Sequence, residues 1–176
     1  MKFLKFLLFT LFSFAVMCLD QWTKCMTICR IRLHEEVPFL PGFIQLTHER
    51  NTGAAFSLLQ GMNWLFIALF VVLTLVLVWE YFAKKLPFTN FERLCIALVY
   101  GGGLGNMFDR IFRGYVVDMI ETQFMKFPVF NVADCFICVG CILLLISLIF
   151  FNKEFWKKNG KEETKPEETQ PEEGQQ

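Results

Sequence analysis

Asp118, in Gly114-Tyr115-Val116-Val117-Asp118-Met119-Ile120, and Asp134, in Phe130-Asn131-Val132-Ala133-Asp134, are the residues best placed to do chemistry. Both stand among apolar neighbours, and Asp134 is the one charge in the 26 residues from Phe127 to Asn152. An ionisable group at such a depth costs about 2.5–3.5 kcal/mol at a helix centre, so it marks function by default. Each has a structural alternative: Asn131 and Asp134 fall where helix caps occur, and Asp118 alone reads equally as a loop carboxylate. Together they make a sharper case, 16 residues apart across a chain reversal containing Pro128. Two carboxylates that meet in a low-dielectric pocket cannot both ionise comfortably, so one holds a proton. The ionised member then takes a proton from water while the other protonates the carbonyl or the leaving amine. That is the chemistry of aspartic proteolysis.

Other clusters are less specific. Gly101-Gly102-Gly103-Leu104-Gly105-Asn106-Met107-Phe108-Asp109-Arg110 lacks the Gly-Lys-Ser/Thr ending of a phosphate loop, and its glycines suit close helix packing instead. Asp109 and Arg110 read as an interface pair, with Arg110 also able to position a substrate backbone or a lipid phosphate. Asn51-Thr52-Gly53-Ala54-Ala55-Phe56 follows a strand-like alternation at Phe43–His48 and carries a turn signal. Asp20-Gln21-Trp22-Thr23-Lys24 sets opposite charges at i and i+4 on a helix end. Cys135, Cys138 and Cys141 recur every three residues but have no nearby His, so apolar packing is the preferred reading and no metal or other cofactor is expected.

These residues sit in a chain built for lipid. Of 176 residues, 55% are apolar and only 19% charged, against roughly 25% charge in soluble domains. The composition excludes a disordered chain, and zero net charge argues against a nucleic-acid binder. Seven Cys, several within apolar runs, argue against a secreted disulfide scaffold. The zero is itself a sum of unlike parts: Asn159–Gln176 carries six Glu and two Lys, leaving the body at +4. Residues 153–176 therefore read as a charged, disordered tail.

Four apolar stretches in the body predict four membrane helices, at about 4–23, 61–82, 91–109 and 130–151. Lys2 and Lys5 before an apolar run also fit a secretory signal, but Ala15-Val16-Met17-Cys18 lacks the small-x-small cleavage pattern, so the first stretch is read as an uncleaved span. Four spans put both termini on one side, and basic flanks favour the cytoplasm slightly. Loops of about 25–60 and 110–129 then share the opposite face with every polar cluster named above.

In that order and spacing the motifs resemble lipoprotein signal peptidase, also called signal peptidase II, an aspartic intramembrane endopeptidase of bacteria. The resemblance covers residues 3–151. It implies four transmembrane helices with a small extracytoplasmic β-sheet, expected between Cys25 and Gln60, that cradles substrate. It implies Asp118 and Asp134 as the catalytic pair, with Asp20, Lys24, Asn51, Gly53, Gly105, Asn106, Arg110, Asn131 and Ala133 supporting or binding substrate. The implied substrate is a diacylglyceryl-modified prolipoprotein cut before the lipidated cysteine, and the implied inhibitor is globomycin. The expected setting is a monomer in the bacterial cytoplasmic membrane, with prolipoproteins and lipids as partners, no nucleic acid, and its site near the extracytoplasmic face. Met119, where Phe is expected, and the Glu-rich tail are the departures. The rivals are a four-span channel or transporter subunit with Asp134 as an ion site, and a scaffold whose acids are structural.

Overall fold

The interior of this protein is polar. Among the described residues, the buried side chains include Asp20, Lys24, Glu92, Asn106, Asp109, Asp118 and Asn131, whereas Phe, Leu, Val and Trp crowd the exposed surface. That inversion is what lipid imposes: apolar side chains cost nothing outside, and each polar group must find a partner within. The structure, a computed structural model, describes residues 2–53, 59–83 and 86–156. Ala54, Ala55 and Phe56 of the outer-loop motif, Lys84, Lys85 and the acidic tail beyond residue 156 lie outside them.

The order of elements is α1 (Lys2–Arg30), β1 (Val37–Leu40), β2 (Ile44–Asn51), α2 (Asn63–Ala83), α3 (Asn90–Phe112), β3 (Val116–Thr122) and α4 (Val132–Ile146), which continues into a π-helical turn at Ser147–Phe151. The chain is thus mostly helical with one small sheet. Residues 3–30, α2 and residues 132–151 are long and apolar enough to cross a membrane. Helices α2 and α4 begin two residues inside the expected 61 and 130, and α1 runs on past Lys24 to Arg30.

Buried residues of α1 recur as Ser13, Val16, Asp20, Lys24 and Thr27, continued by Ile31 just past its end, one helical stripe that is mostly polar. The stripe packs on α3, which also packs on α4, and α1 and α4 touch as well. Glycine makes these approaches possible. A Cβ on Gly101 would fall 2.6 Å from the Ser13 carbonyl oxygen, and one on Gly102 would fall 2.6 Å from the Ala133 carbonyl oxygen. By contrast α2 buries no residue of its own. It leans on α3 through the stacked Phe70 and Tyr100 rings, 5.2 Å between centroids.

At the end of the bundle away from the sheet, α3 starts with a capping box between Thr89 and Glu92. The buried Glu92 carboxylate also accepts from Ser147 Oγ at 3.0 Å and from Asn152 Nδ2 at 2.8 Å, tying α3 to the end of α4. At the other end Gly114, with φ +80°, turns the chain out of α3 and into β3.

The sheet is antiparallel in the order β1-β2-β3. Its first two strands lie inside the expected Cys25–Gln60 segment. The third comes from the second loop, where no strand was expected, because Val116–Thr122 alternates too weakly to signal one. A bulge between Leu46 and Glu49 shifts the β2–β3 register so that Glu49 faces Asp118 and Asn51 faces Val116.

Backbone atoms cannot yield as a flexible side chain can, and on Gly103 a Cβ would meet only the Phe70 ring. Gly101→Ala and Gly102→Ala are therefore expected to cost about 1–3 kcal/mol each, and Gly103→Ala less. Thermal unfolding of the three variants in detergent checks the ranking.

Candidate active site

Helix α4 begins where Asn131 leaves the helical conformation, with φ −131° and ψ 178°. Its Oδ1 accepts from the Asp134 backbone N–H at 3.0 Å, and Asp134 Oδ2 accepts from the Asn131 backbone N–H at 3.2 Å. This is a capping box. The cap and the chemical reading of Asp134 are therefore not rivals: the same carboxylate caps the helix with one oxygen and presents the other, Oδ1, to Asn106 Nδ2 at 2.8 Å.

Asp118 arrives from β3. The β2–β3 register brings Asn51 beside it, and Asn51 Nδ2 donates to Asp118 Oδ2 at 2.9 Å. Asn131 Nδ2 donates to Asp118 Oδ1 at 2.6 Å and to Asn106 Oδ1 at 3.2 Å. Two amides, Asn106 and Asn131, thus join Asp118 and Asp134 in one chain of hydrogen bonds drawn from β2, β3, α3 and α4. Burial pushes the Asp118 carboxyl up from 3.8 to about 6. The Asn51 and Asn131 bonds and the Lys24 charge pull the other way, and the neighbouring Asp134 adds to the rise.

Behind the pair lies an ionic cluster. Lys24 Nζ sits 2.8 Å from Asp20 Oδ2, 3.0 Å from Asp109 Oδ2 and 2.9 Å from Asn106 Oδ1. The Lys24, Asp20 and Asp109 side chains are wholly buried. Asp20 Oδ1 accepts from the Ala133 backbone N–H at 3.0 Å. Gly105 lacks a side chain because Asp20 occupies the space that a Cβ would need. Gly53 closes a turn by donating its N–H to Asn51 Oδ1 at 2.8 Å, and its carbonyl accepts from Arg110 Nη2 at 2.9 Å. The Arg110 guanidinium lies over the Phe66 ring, 4.5 Å from its centroid. Its buried Nε has no partner among the described residues.

All eleven residues singled out in the sequence therefore converge on one end of the bundle. Three others belong with them. Asp109 accepts from Lys24, from Arg113, from Gln21 Nε2 at 3.2 Å and from the Val117 backbone N–H at 3.1 Å. Arg113 Nη1 also donates to Gln21 Oε1 at 2.9 Å. The signal for Asp109 is present in the sequence, four residues before Arg113 and four after Gly105, yet it is also the spacing of an ordinary surface pair. Cys135, Cys138 and Cys141 are free thiols, with Cys138 exposed.

Residues 12–150 match the family profile described as signal peptidase (SPase) II. The lipoprotein signal peptidase of Enterococcus faecalis is 42% identical over 154 residues, covering 88% of this chain and 94% of its own. That of Halalkalibacterium halodurans is 37% identical over 145 residues, covering 81% and 92%. A bacterial membrane enzyme solved by the in meso method at 2.3 Å resolution superposes with a TM-score of 0.74 at 29% identity, covering 92% of this chain and 94% of that one.

The raised Asp118 carboxyl makes folding pH-dependent in a defined direction. Unfolded, Asp118 releases its proton near 3.8; folded, it keeps it to about 6. Between those values the folded chain binds more protons, so stability present below 3.8 is lost as pH rises through about 6. Asp118→Asn has no such loss. Its unfolding temperature relative to wild type is expected to rise between pH 4 and 7, by an amount on the order of 2–3 kcal/mol in stability. A difference that stays flat across that range would show that Asp118 is not desolvated.

Proposed function

The chain belongs to the signal peptidase II family, whose members remove signal peptides from prolipoproteins, and on that premise we propose that Asp118 and Asp134 are its catalytic pair. The observation that carries this reading is the Asn131–Asn106 bridge, which couples two carboxylates that the sequence sets far apart. Asp118, whose carboxyl burial pushes up, holds the shared proton; Asp134, at the positive end of α4, serves as the base.

The reaction then follows from these two groups. Asp134 takes a proton from a water molecule as its oxygen attacks the scissile carbonyl carbon. The Asp118 proton goes to the carbonyl oxygen, giving a tetrahedral diol. As the C–N bond breaks, Asp134 returns its proton to the leaving nitrogen and the diol returns one to Asp118, restoring the pair. Asn51, Asn106 and Asn131 hold the carboxylates in place. Arg110, with one buried N–H unspent and its plane fixed against Phe66, holds a carbonyl of the substrate.

The substrate of this reading is a prolipoprotein carrying diacylglycerol on the cysteine that follows the cut. The protein lies in the bacterial cytoplasmic membrane as four spans, α3 being the fourth despite its charged ends. Both termini are cytoplasmic and the site opens at the outer face, in contact with lipid. In support, Asp118, Asp134 and the sheet share one end of the bundle, and the groups of α3 that would be costly in lipid are inward and paired.

Incubation of the purified protein with a lipidated prolipoprotein, with and without globomycin, tests the activity. Asp118→Asn and Asp134→Asn are expected to abolish cleavage while leaving the folded protein intact; processing by either variant excludes the pair. For the wild type, kcat/KM is expected to fall as pH rises past about 6, where Asp118 gives up its proton. Arg110→Ala should raise KM by roughly tenfold, the loss of one charge-assisted bond, with a smaller effect on kcat.

A further inference from the structure

We infer that Lys24 and Asp109, with Asp20, form a yoke that sets both the separation of the Asp118–Asp134 pair and the direction of the hydrogen bonds running into it. This rests on the catalytic reading of that pair. The Lys24 ammonium has three protons and spends each on a different acceptor: Asp20 Oδ2, Asp109 Oδ2 and Asn106 Oδ1. Each of the two carboxylates also grips one backbone N–H. Asp20 takes that of Ala133 and Asp109 that of Val117, at 3.0 and 3.1 Å. Ala133 and Val117 are the residues immediately before Asp134 and Asp118. A staple meant only to join helices would have no need to hold those two positions. Here one cation links two arms, and each arm ends at the backbone of one member of the pair.

The third bond sets polarity. An ammonium donates and cannot accept, so Asn106 must turn its Oδ1 toward Lys24 and its Nδ2 toward Asp134. Asn131 is fixed in the same sense, because its Oδ1 is taken by the Asp134 N–H and only its Nδ2 remains for Asn106 and Asp118. With Asn106 reversed, an NH2 would face the ammonium and a carbonyl oxygen would face the Asp134 carboxylate. Lys24 thereby guarantees that Asp134 is met by a donor. Arg113 completes the cluster by pairing with Asp109, so two cations balance two carboxylates. The titratable groups facing the pair are Asp20 and Lys24 from α1, Asp109 and Arg110 from α3, Glu49 opposite Asp118 on β2, and Cys135 on α4.

Lys24 and Asp109 are positioning residues in this account, and their test needs a readout that mere stability does not move. The pH dependence of kcat supplies it. Removing the Lys24 charge makes the shared proton harder to lose, so Lys24→Gln should move the alkaline limb upward. Asp109→Asn removes a negative charge and should move it downward, each by about half a pH unit or more. Both should lower kcat at least about tenfold through misplacement of the pair and leave KM for a lipidated prolipoprotein within about twofold. Elution as a single species and cooperative thermal unfolding in detergent certify the folded variants. Folded variants with wild-type kcat, or with reduced kcat and unmoved limbs, overturn the yoke. If neither variant folds, Arg113→Gln carries the test, since that side chain is partly exposed and reaches the yoke only through Asp109 and Gln21. Its limb should move upward, and an unmoved limb overturns the proposal. Active Asp118→Asn or Asp134→Asn protein would remove the pair itself, whereas inactive Asp variants beside unmoved Lys24, Asp109 or Arg113 profiles would remove the yoke alone.

Discussion

A carboxylate or an ammonium placed among lipid-facing helices must be neutralised and fully hydrogen-bonded, and the arrangement of this protein follows from that single constraint. Lys24 is wholly buried and would be prohibitively costly alone. It is tolerable because Asp20 and Asp109 surround it. They in turn are tolerable because Ala133, Val117 and Arg113 take up their remaining lone pairs. Buried ion pairs of this kind add little net stability over apolar packing, but losing one member costs about 3–5 kcal/mol. The cluster therefore enforces one geometry more than it stabilises the fold. Gly101, Gly102 and Gly105 serve the same end, since side chains there would separate the helices whose polar groups must meet.

The start of α4 shows how a local rule and a chemical one coincide. Any helix entering a low-dielectric region leaves its first N–H groups without partners, and a capping box is the economical remedy. Asn131 and Asp134 provide it. Using the box for catalysis needs only one additional feature, that the second oxygen of Asp134 be free to face Asn106. At the start of α3 the Thr89–Glu92 box has the same form, yet there each Glu92 oxygen accepts two hydrogen bonds, from Thr89, Ser147 and Asn152, whereas each Asp134 oxygen accepts one among the described residues. The comparison separates a structural carboxylate from one equipped to act.

Much of this was legible in the residues. Asp134 is conspicuous because nothing else charged lies near it in sequence, and apolar runs mark the helices by length alone. Asp118 was legible only as a partner for Asp134, since a carboxylate beside a sheet looks like any loop acid. The third strand was not legible: Val116–Thr122 is a short segment that becomes a strand because β2 offers it an edge, and pairing across so long a sequence separation leaves no local trace. Asp109 is visible in the sequence, but its weight is hidden for a related reason. Its four partners come from three elements, and no spacing in the chain announces that Lys24, Arg113, Gln21 and the Val117 amide will meet at one carboxylate. The supporting residues Gly105 and Ala133 became explicable only once Asp20 was found pressed between them.

The burial of the polar network is graded, and the gradient bears on how hydrolysis can occur in such a place. Asp20, Lys24, Asp109 and Asn131 are wholly enclosed, Asp118 and Asn106 nearly so, and Asp134 is the member at which the network opens. A site dry throughout would hold its geometry but admit no water; a site wet throughout would give Asp118 the ordinary affinity for its proton. The enclosed side fixes the hydrogen bonds and keeps Asp118 reluctant to ionise, while in the proposed mechanism the open side is where Asp134 would meet water and the peptide. Placing the pair at the end of the bundle, under a sheet rather than between helix midpoints, satisfies both requirements. If the two acids are the catalytic pair proposed above, hydrolysis in a membrane is feasible because they straddle the boundary between a sealed interior and a less enclosed edge.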